Sequence, residues 1–114
     1  MEKTDAVTAL AALAQDNRLD VFRLLVQAGP EGLTAGAVAT ALDLPPNTLT
    51  FHFDRLRMAG LVASHREGRS IIYAAQFAKM NALLSFLTKN CCGGASCAPS
   101  AQCKPSRRRT KMSA

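Results

Sequence analysis

The sequence predicts a mainly α-helical chain with one small antiparallel hairpin, on three observations. Apolar residues recur near helical spacing in five stretches. Between Leu61 and Tyr73 the period changes, with β-branched and aromatic residues on both sides of Glu67-Gly68. The third and fourth helical stretches are separated only by the turn Asp43-Leu44-Pro45. Two helices joined so tightly, the second followed at once by a hairpin, describe a winged helix-turn-helix of five helices.

Taken in order, Thr4 or Asp5 is expected to cap a first helix with the apolar set Val7, Leu10, Ala11, Leu13 and Ala14. Asp16 is expected to cap a second helix. Its set Leu19, Val21, Phe22, Leu24, Leu25 and Val26 is too wide for one exposed face, which makes that helix central. Gly29-Pro30-Glu31-Gly32 ends it as a strong turn signal. Leu33 then reads as a short strand, and Thr34 as the cap of a third helix from Ala35 to Leu42 that buries Val38, Ala39 and Leu42.

The fourth helix organises the rest. It runs from about Pro46, where a missing N–H has no partner to lose, to Ala59, and Gly60 supplies the left-handed stop. Leu49, Phe53, Leu56 and Met58 are expected on its apolar stripe, with Asn47, Thr48, Thr50, Phe51, Arg55 and Arg57 largely off it. The wing turn is expected at Glu67-Gly68, flanked by Arg66 and Arg69, whose guanidiniums suit phosphate. A final helix from about Gln76 to Lys89 carries Phe77, Met80, Leu83, Leu84 and Leu87, a face expected to meet the first helix and its two-fold mate.

A chain of 114 residues allows one domain, and a domain this small gains by pairing, so a homodimer is expected. No apolar run approaches the roughly 20 residues of a membrane helix, and no signal-peptide pattern opens the chain. The expectation is cytoplasmic, with no membrane partner. Of the net charge of +6, much is tail: residues 1–103 hold nine cations against eight acids, a net +1. The helix and wing still carry Arg55, Arg57, Arg66 and Arg69 against Asp54 and Glu67. That local excess supports a phosphate-facing surface. The candidate DNA contacts are Asn47, Thr48, Thr50, Phe51, His52, Arg55, Arg66 and Arg69, although His52 between two phenylalanines also fits half-buried structure.

From Asn90 the composition changes. Residues 1–90 are expected to form the DNA-binding and dimerisation domain, 91–103 a cysteine-rich inducer-binding segment and 104–114 a basic flexible tail, whose Arg107-Arg108-Arg109 reads as a solvated end in preference to a DNA arm. Cys91, Cys92 and Cys97 lie within seven consecutive residues, so one chain can fold three sulfurs onto one ion, with Gly93-Gly94 supplying the bend. Clustered thiols in a reducing compartment are metal ligands or redox groups rather than a disulfide framework. An all-thiolate set selects soft ions. The spacing is not that of paired Cys-x-x-Cys knuckles and suits a three-coordinate centre such as trivalent arsenic. Cys103 reads as an incidental thiol or as a fourth ligand.

Thr48-Leu49-Thr50-Phe51-His52-Phe53, Leu56, Ala59-Gly60-Leu61-Val62 and Arg66-Glu67-Gly68-Arg69 closely resemble the recognition helix and wing of the ArsR/SmtB family of winged-helix repressors, and Asn17-Arg18-Leu19 to Leu24-Leu25 resembles its second helix. The resemblance covers roughly residues 8 to 90. It implies homodimers that repress metal-resistance operons and leave DNA on binding inducer, with first and last helices at the interface. The family often opens the recognition helix with Ser-Gln and has Arg before its His. Here Pro45-Pro46 and Phe51 stand instead, so base preference is not carried over. Ala35-Gly36-Ala37-Val38 lacks the Cys-Val-Cys of many arsenic sensors, whereas Asn90-Cys91-Cys92-Gly93 resembles those whose cysteines follow the last helix. Their first three ligands map onto Cys91, Cys92 and Cys97.

Three function classes follow: a repressor released by arsenite, and by antimonite as a second inducer, with a cadmium or zinc sensor of the same fold as a variant; a DNA-binding protein with Cys91 and Cys92 as a redox switch; and a thiol enzyme. The enzyme is the weakest, because these cysteines follow a helix C-terminus, whose dipole disfavours thiolate.

Overall fold

The computed structural model describes residues 1–94, which form five α-helices, three strands and one 3-10 turn. In chain order these are α1 (Lys3–Leu13), α2 (Asp16–Ala28), β1 (Leu33–Thr34), α3 (Ala35–Leu42), α4 (Pro46–Met58), β2 (Val62–Glu67), β3 (Ser70–Ala75) and α5 (Phe77–Thr88), with the 3-10 turn at Cys91–Gly94. The expected mainly α fold with a small wing is what forms. The chain divides into two units, Met1–Leu83 and Leu84–Ala114. Cys97, Cys103 and the basic tail lie outside the described residues.

The first unit is built around α2 and α4. Val21 and Leu25 of α2, Val38 of α3, Leu49, Phe53 and Leu56 of α4, and Leu61 are fully buried together. α1 joins them through its smallest side chains. Ala6, Ala9 and Ala12, three residues apart, are buried, while Val7 is 59% and Leu10 42% exposed. The expected Val7 and Leu10 face is therefore the outer one. Alanines let α1 lie against both α2 and α4, where larger side chains would hold it off.

Two caps differ from expectation. α1 follows Glu2 with no side-chain cap, so neither Thr4 nor Asp5 has that role. α2 is capped by Gln15, whose side-chain oxygen accepts from the Arg18 N–H at 2.9 Å, and Asp16 is already helical. Arg18 Nε in turn donates to the Ala12 carbonyl at 2.7 Å, which ties the first turn of α2 to the end of α1. Thr34 caps α3 as expected, accepting from the Ala37 N–H at 3.1 Å.

The sheet order is β1-β3-β2, antiparallel throughout, with Leu33 opposite Tyr73 and Thr34 opposite Ile72. Gly32, at φ +74°, feeds β1 so closely against β3 that a Cβ there would run into the Tyr73 carbonyl. Glu67 pairs with Ser70, so the wing turn is Gly68-Arg69, one residue later than expected. Gly68 takes the first turn position at φ +62°, a conformation that side chains disfavour.

α4 passes into the wing without slack. The Gly60 N–H donates to the Arg57 carbonyl at 2.9 Å and the Leu61 N–H to the Leu56 carbonyl at 3.0 Å, the bond pair of a Schellman stop with Gly60 at φ +79°. The Gln76 N–H then donates to the Leu61 carbonyl at 2.8 Å and holds the far end of β3 to the same point. In the second unit, Leu84 and Leu87 of α5 are exposed, and positive φ at Asn90, Cys92 and Gly93 turns the chain after the helix.

Candidate nucleic-acid interface

α4 buries Leu49, His52, Phe53 and Leu56, the i, i+3, i+4, i+7 pattern of one helix face. The opposite side presents Asn47, Thr48, Thr50, Phe51 and Arg55 to solvent, as the sequence expectation has them. Two expectations about this helix are corrected. Met58 was expected on the apolar stripe and is 80% exposed. His52 was a candidate DNA contact and is 5% exposed, within the core.

The environment of His52 explains what that costs. Among the described residues, neither ring nitrogen has a hydrogen-bond partner. Its pKa lies below 6.5, first because burial penalises the cation and then because the Arg18 guanidinium repels it. His52 is thus a neutral imidazole holding its face of α4 in place, and its ring meets Phe51 edge-on at 6.0 Å between centroids.

The outward side chains differ in their freedom. Thr50 Oγ1 donates to the Pro46 carbonyl at 3.0 Å, which spends its proton locally and leaves its oxygen to accept. Arg55 lies over the Phe51 ring at 5.0 Å from its centroid, a cation–π contact that fixes both on one surface. Arg57, also exposed, pairs with Asp54 at 3.3 Å.

The wing carries the second group. Arg66 lies opposite Ile71 near the tip and Arg69 in the turn, both exposed. His65 and Glu67 share one face of β2, with Nε2 and Oε2 3.1 Å apart, so the acid at the tip is engaged with His65. Helix and wing are joined by a ring pair. Phe53 of α4 stacks on Tyr73 of β3 with centroids 3.8 Å apart and planes within 1°. Such a contact adds about 0.5–1.5 kcal/mol beyond area burial. It also sets the exposed face of α4 and the arginines of the wing on one body.

Sequence reasoning passed over a groove of about 700 Å³ where α1, the start of α2 and α4 meet, reached by Arg18, Phe51, Arg55 and Met58. The signal available was two large apolar residues, Phe51 and Met58, among polar positions on one side of α4. In the second unit, Cys91 is half-buried and Cys92 exposed, adjacent on the turned backbone.

Comparison with known proteins places this arrangement. Residues 13–65 match the family described as a helix-turn-helix domain. The chain is 29% identical over 94 residues to the transcriptional activator HlyU of Vibrio cholerae, an alignment covering 81% of this chain and 84% of that protein. Among solved structures it is similar to an ArsR-like transcriptional regulator from Rhodococcus sp. RHA1, with a TM-score of 0.66 at 28% identity, covering 74% of this chain and 76% of that one. It is also similar to the homodimeric winged helix-turn-helix DNA-binding domain Mb0332 of Mycobacterium bovis, a possible ArsR-family regulator. There the TM-score is 0.60 at 27% identity, over 76% of this chain and 81% of the other. These relatives are transcriptional regulators rather than enzymes. Among the described residues, no helix is long and apolar enough to cross a membrane.

Proposed function

From a winged helix-turn-helix chain whose homologues are ArsR-family and HlyU-type transcriptional regulators, we infer an operator-binding homodimer that represses transcription and is released when trivalent arsenic binds its C-terminal thiols. The observation that carries DNA binding is the single body formed by α4 and the wing. It presents Asn47, Thr48, Thr50, Phe51 and Arg55 on the helix and Arg66 and Arg69 on the hairpin. Polar residues of a helix that enters the major groove read base edges, and hairpin arginines hold phosphate. Two copies would meet an imperfect inverted repeat with equivalent contacts about 34 Å apart.

The inducer reading rests on the thiols. Cys91 and Cys92 are adjacent where the backbone turns at Asn90, Cys92 and Gly93, and Cys97 follows five residues later in sequence. The donor set is three soft sulfurs, which fits a trivalent, thiophilic metalloid, arsenite foremost and antimonite second. Arsenous acid is neutral near pH 7, and exchange of its three hydroxyls for three thiols releases water without net protons. A lone pair completes the pyramid, so Cys103 has no role to fill.

The test is a gel shift with a candidate promoter, with and without arsenite, on the full chain and on Cys91→Ser, Cys92→Ser, Cys97→Ser and Cys103→Ser. The first three should bind DNA and lose release by arsenite, whereas the fourth should respond normally. Release by a mild oxidant and not by arsenite would make Cys91 and Cys92 a redox switch. Dependence on all four cysteines, with release by cadmium or zinc, would make the centre tetrahedral.

A further inference from the structure

The groove between α1 and α4 has a chemistry that the DNA surface does not use up. Its walls are mainly apolar, formed by Val7 and Ala11 of α1 with Phe51 and Met58 of α4 and with Thr8 between, and Arg18 and Arg55 enter it from two helices. No carboxylate lines it. Among the described residues no acid pairs with either guanidinium: Arg18 spends only Nε, on the Ala12 carbonyl, and Arg55 rests on the Phe51 ring. About 700 Å³ is the size of a site for a small organic molecule.

The geometry points to a binding site for a small amphiphile bearing one carboxylate, an alkyl or aryl acid whose body lies along Val7, Ala11 and Met58 and whose head meets Arg18 and Arg55. Each half of the groove selects against a simpler occupant. Inorganic phosphate would leave the apolar walls uncovered. A second copy with the two-fold axis through the groove would set its own Arg18 and Arg55 against these. An apolar acid satisfies both halves at once, and a guanidinium holds a carboxylate with two parallel N–H bonds. Binding does not rest on the regulatory reading. Under that reading, occupancy would draw Phe51 and Arg55 away from the operator.

The experiment titrates decanoate into the full-length protein, followed by calorimetry and by amide shifts in ¹⁵N spectra. Saturable binding is expected, with shifts centred on Val7, Ala11, Arg18, Phe51, Arg55 and Met58. Decanol, the same body without charge, should bind at least about tenfold more weakly, and Arg55→Gln should cost decanoate a similar factor. Ala11→Trp, a change at a position exposed in the single chain, should fill the groove and abolish binding, with the helical circular dichroism of wild type. Four results would overturn the proposal: equal affinity for decanol, shifts centred elsewhere, displacement of decanoate by millimolar phosphate, or wild-type affinity in Ala11→Trp. So would shifts of the same amides on dilution with none on adding decanoate, because the groove would then be a subunit contact.

Discussion

Replacing His52 tests whether the recognition helix is held by a neutral, buried imidazole. In water the side chain titrates near 6.5, while in the fold its pKa is depressed by burial and by Arg18. The stability due to the depressed value is complete above the unfolded pKa. It declines as pH falls below about 6.5, where the unfolded chain takes a proton that the native chain refuses, and it levels off once pH passes the folded value. At pH 5.5 an unfolded histidine is about tenfold more often protonated than neutral. Full exclusion of that proton therefore lowers stability by at most about 1.4 kcal/mol relative to pH 7.5. His52→Leu removes the titration and also the two unpartnered ring nitrogens, each costing about 1–3 kcal/mol when buried. Urea unfolding at pH 7.5 and pH 5.5, at fixed protomer concentration, reads both effects. The variant should match or exceed wild type at pH 7.5, and the gap should widen by up to about 1.4 kcal/mol at pH 5.5. A gap that is the same at the two pH values, or one that narrows, would refute the reasoning.

Three further outcomes are expected. Gly32→Ala should destabilise by about 2 kcal/mol or more, because strain at positive φ adds to collision with the Tyr73 carbonyl, whereas Gly68→Ala, with open space around it, should cost only the backbone term of about 1–2 kcal/mol; thermal unfolding compares them. Arg66→Ala and Arg69→Ala should each reduce the slope of log affinity against log salt by about 0.9, read by fluorescence anisotropy with operator DNA, and an unchanged slope would remove that arginine from the phosphate contacts. Truncation after Asn90 should leave DNA binding within a few-fold of wild type and abolish the response to arsenite, checked by the same anisotropy assay; loss of DNA binding would make the tail part of the DNA surface.

The sequence was most legible where period and punctuation agreed. Pro46 and Gly60 marked the ends of α4, and Thr34 its cap on α3, because these residues act through local backbone bonds. It was least legible where hydropathy and period disagreed. Met58 looks like core and His52 like surface, yet spacing from Leu49 and Phe53 puts 52 on the buried face and 58 on the far side, and the rigid helix follows spacing. From Ala6 to Leu13 of α1 every position but Thr8 is apolar or alanine, so no period selects a face, and the close approach to α2 and α4 that selects Ala6, Ala9 and Ala12 is decided only in the fold. The wing turn slipped by one residue because Gly68 is compatible with either turn position and strand pairing alone decides between them. Of the candidate DNA residues, only His52 turned inward. The groove at Arg18 and Arg55 joins residues far apart in the chain, so the exposed apolar pair Phe51 and Met58 was the one local sign of it.

The Phe53–Tyr73 stack, together with the Schellman stop at Gly60, removes the joint that would otherwise lie between α4 and the hairpin. Under the proposed operator-binding reading, each protomer would work like a one-piece key: the depth of the helix and the reach of the wing are cut together. An operator that is slightly overwound or widened cannot be met by bending the wing alone. The mismatch passes to the relation between the two protomers, so spacer length between half-sites should be the property of DNA to which the dimer is least forgiving. An inducer that alters that relation by a small rotation would then release both helix and wing at once, without distorting either.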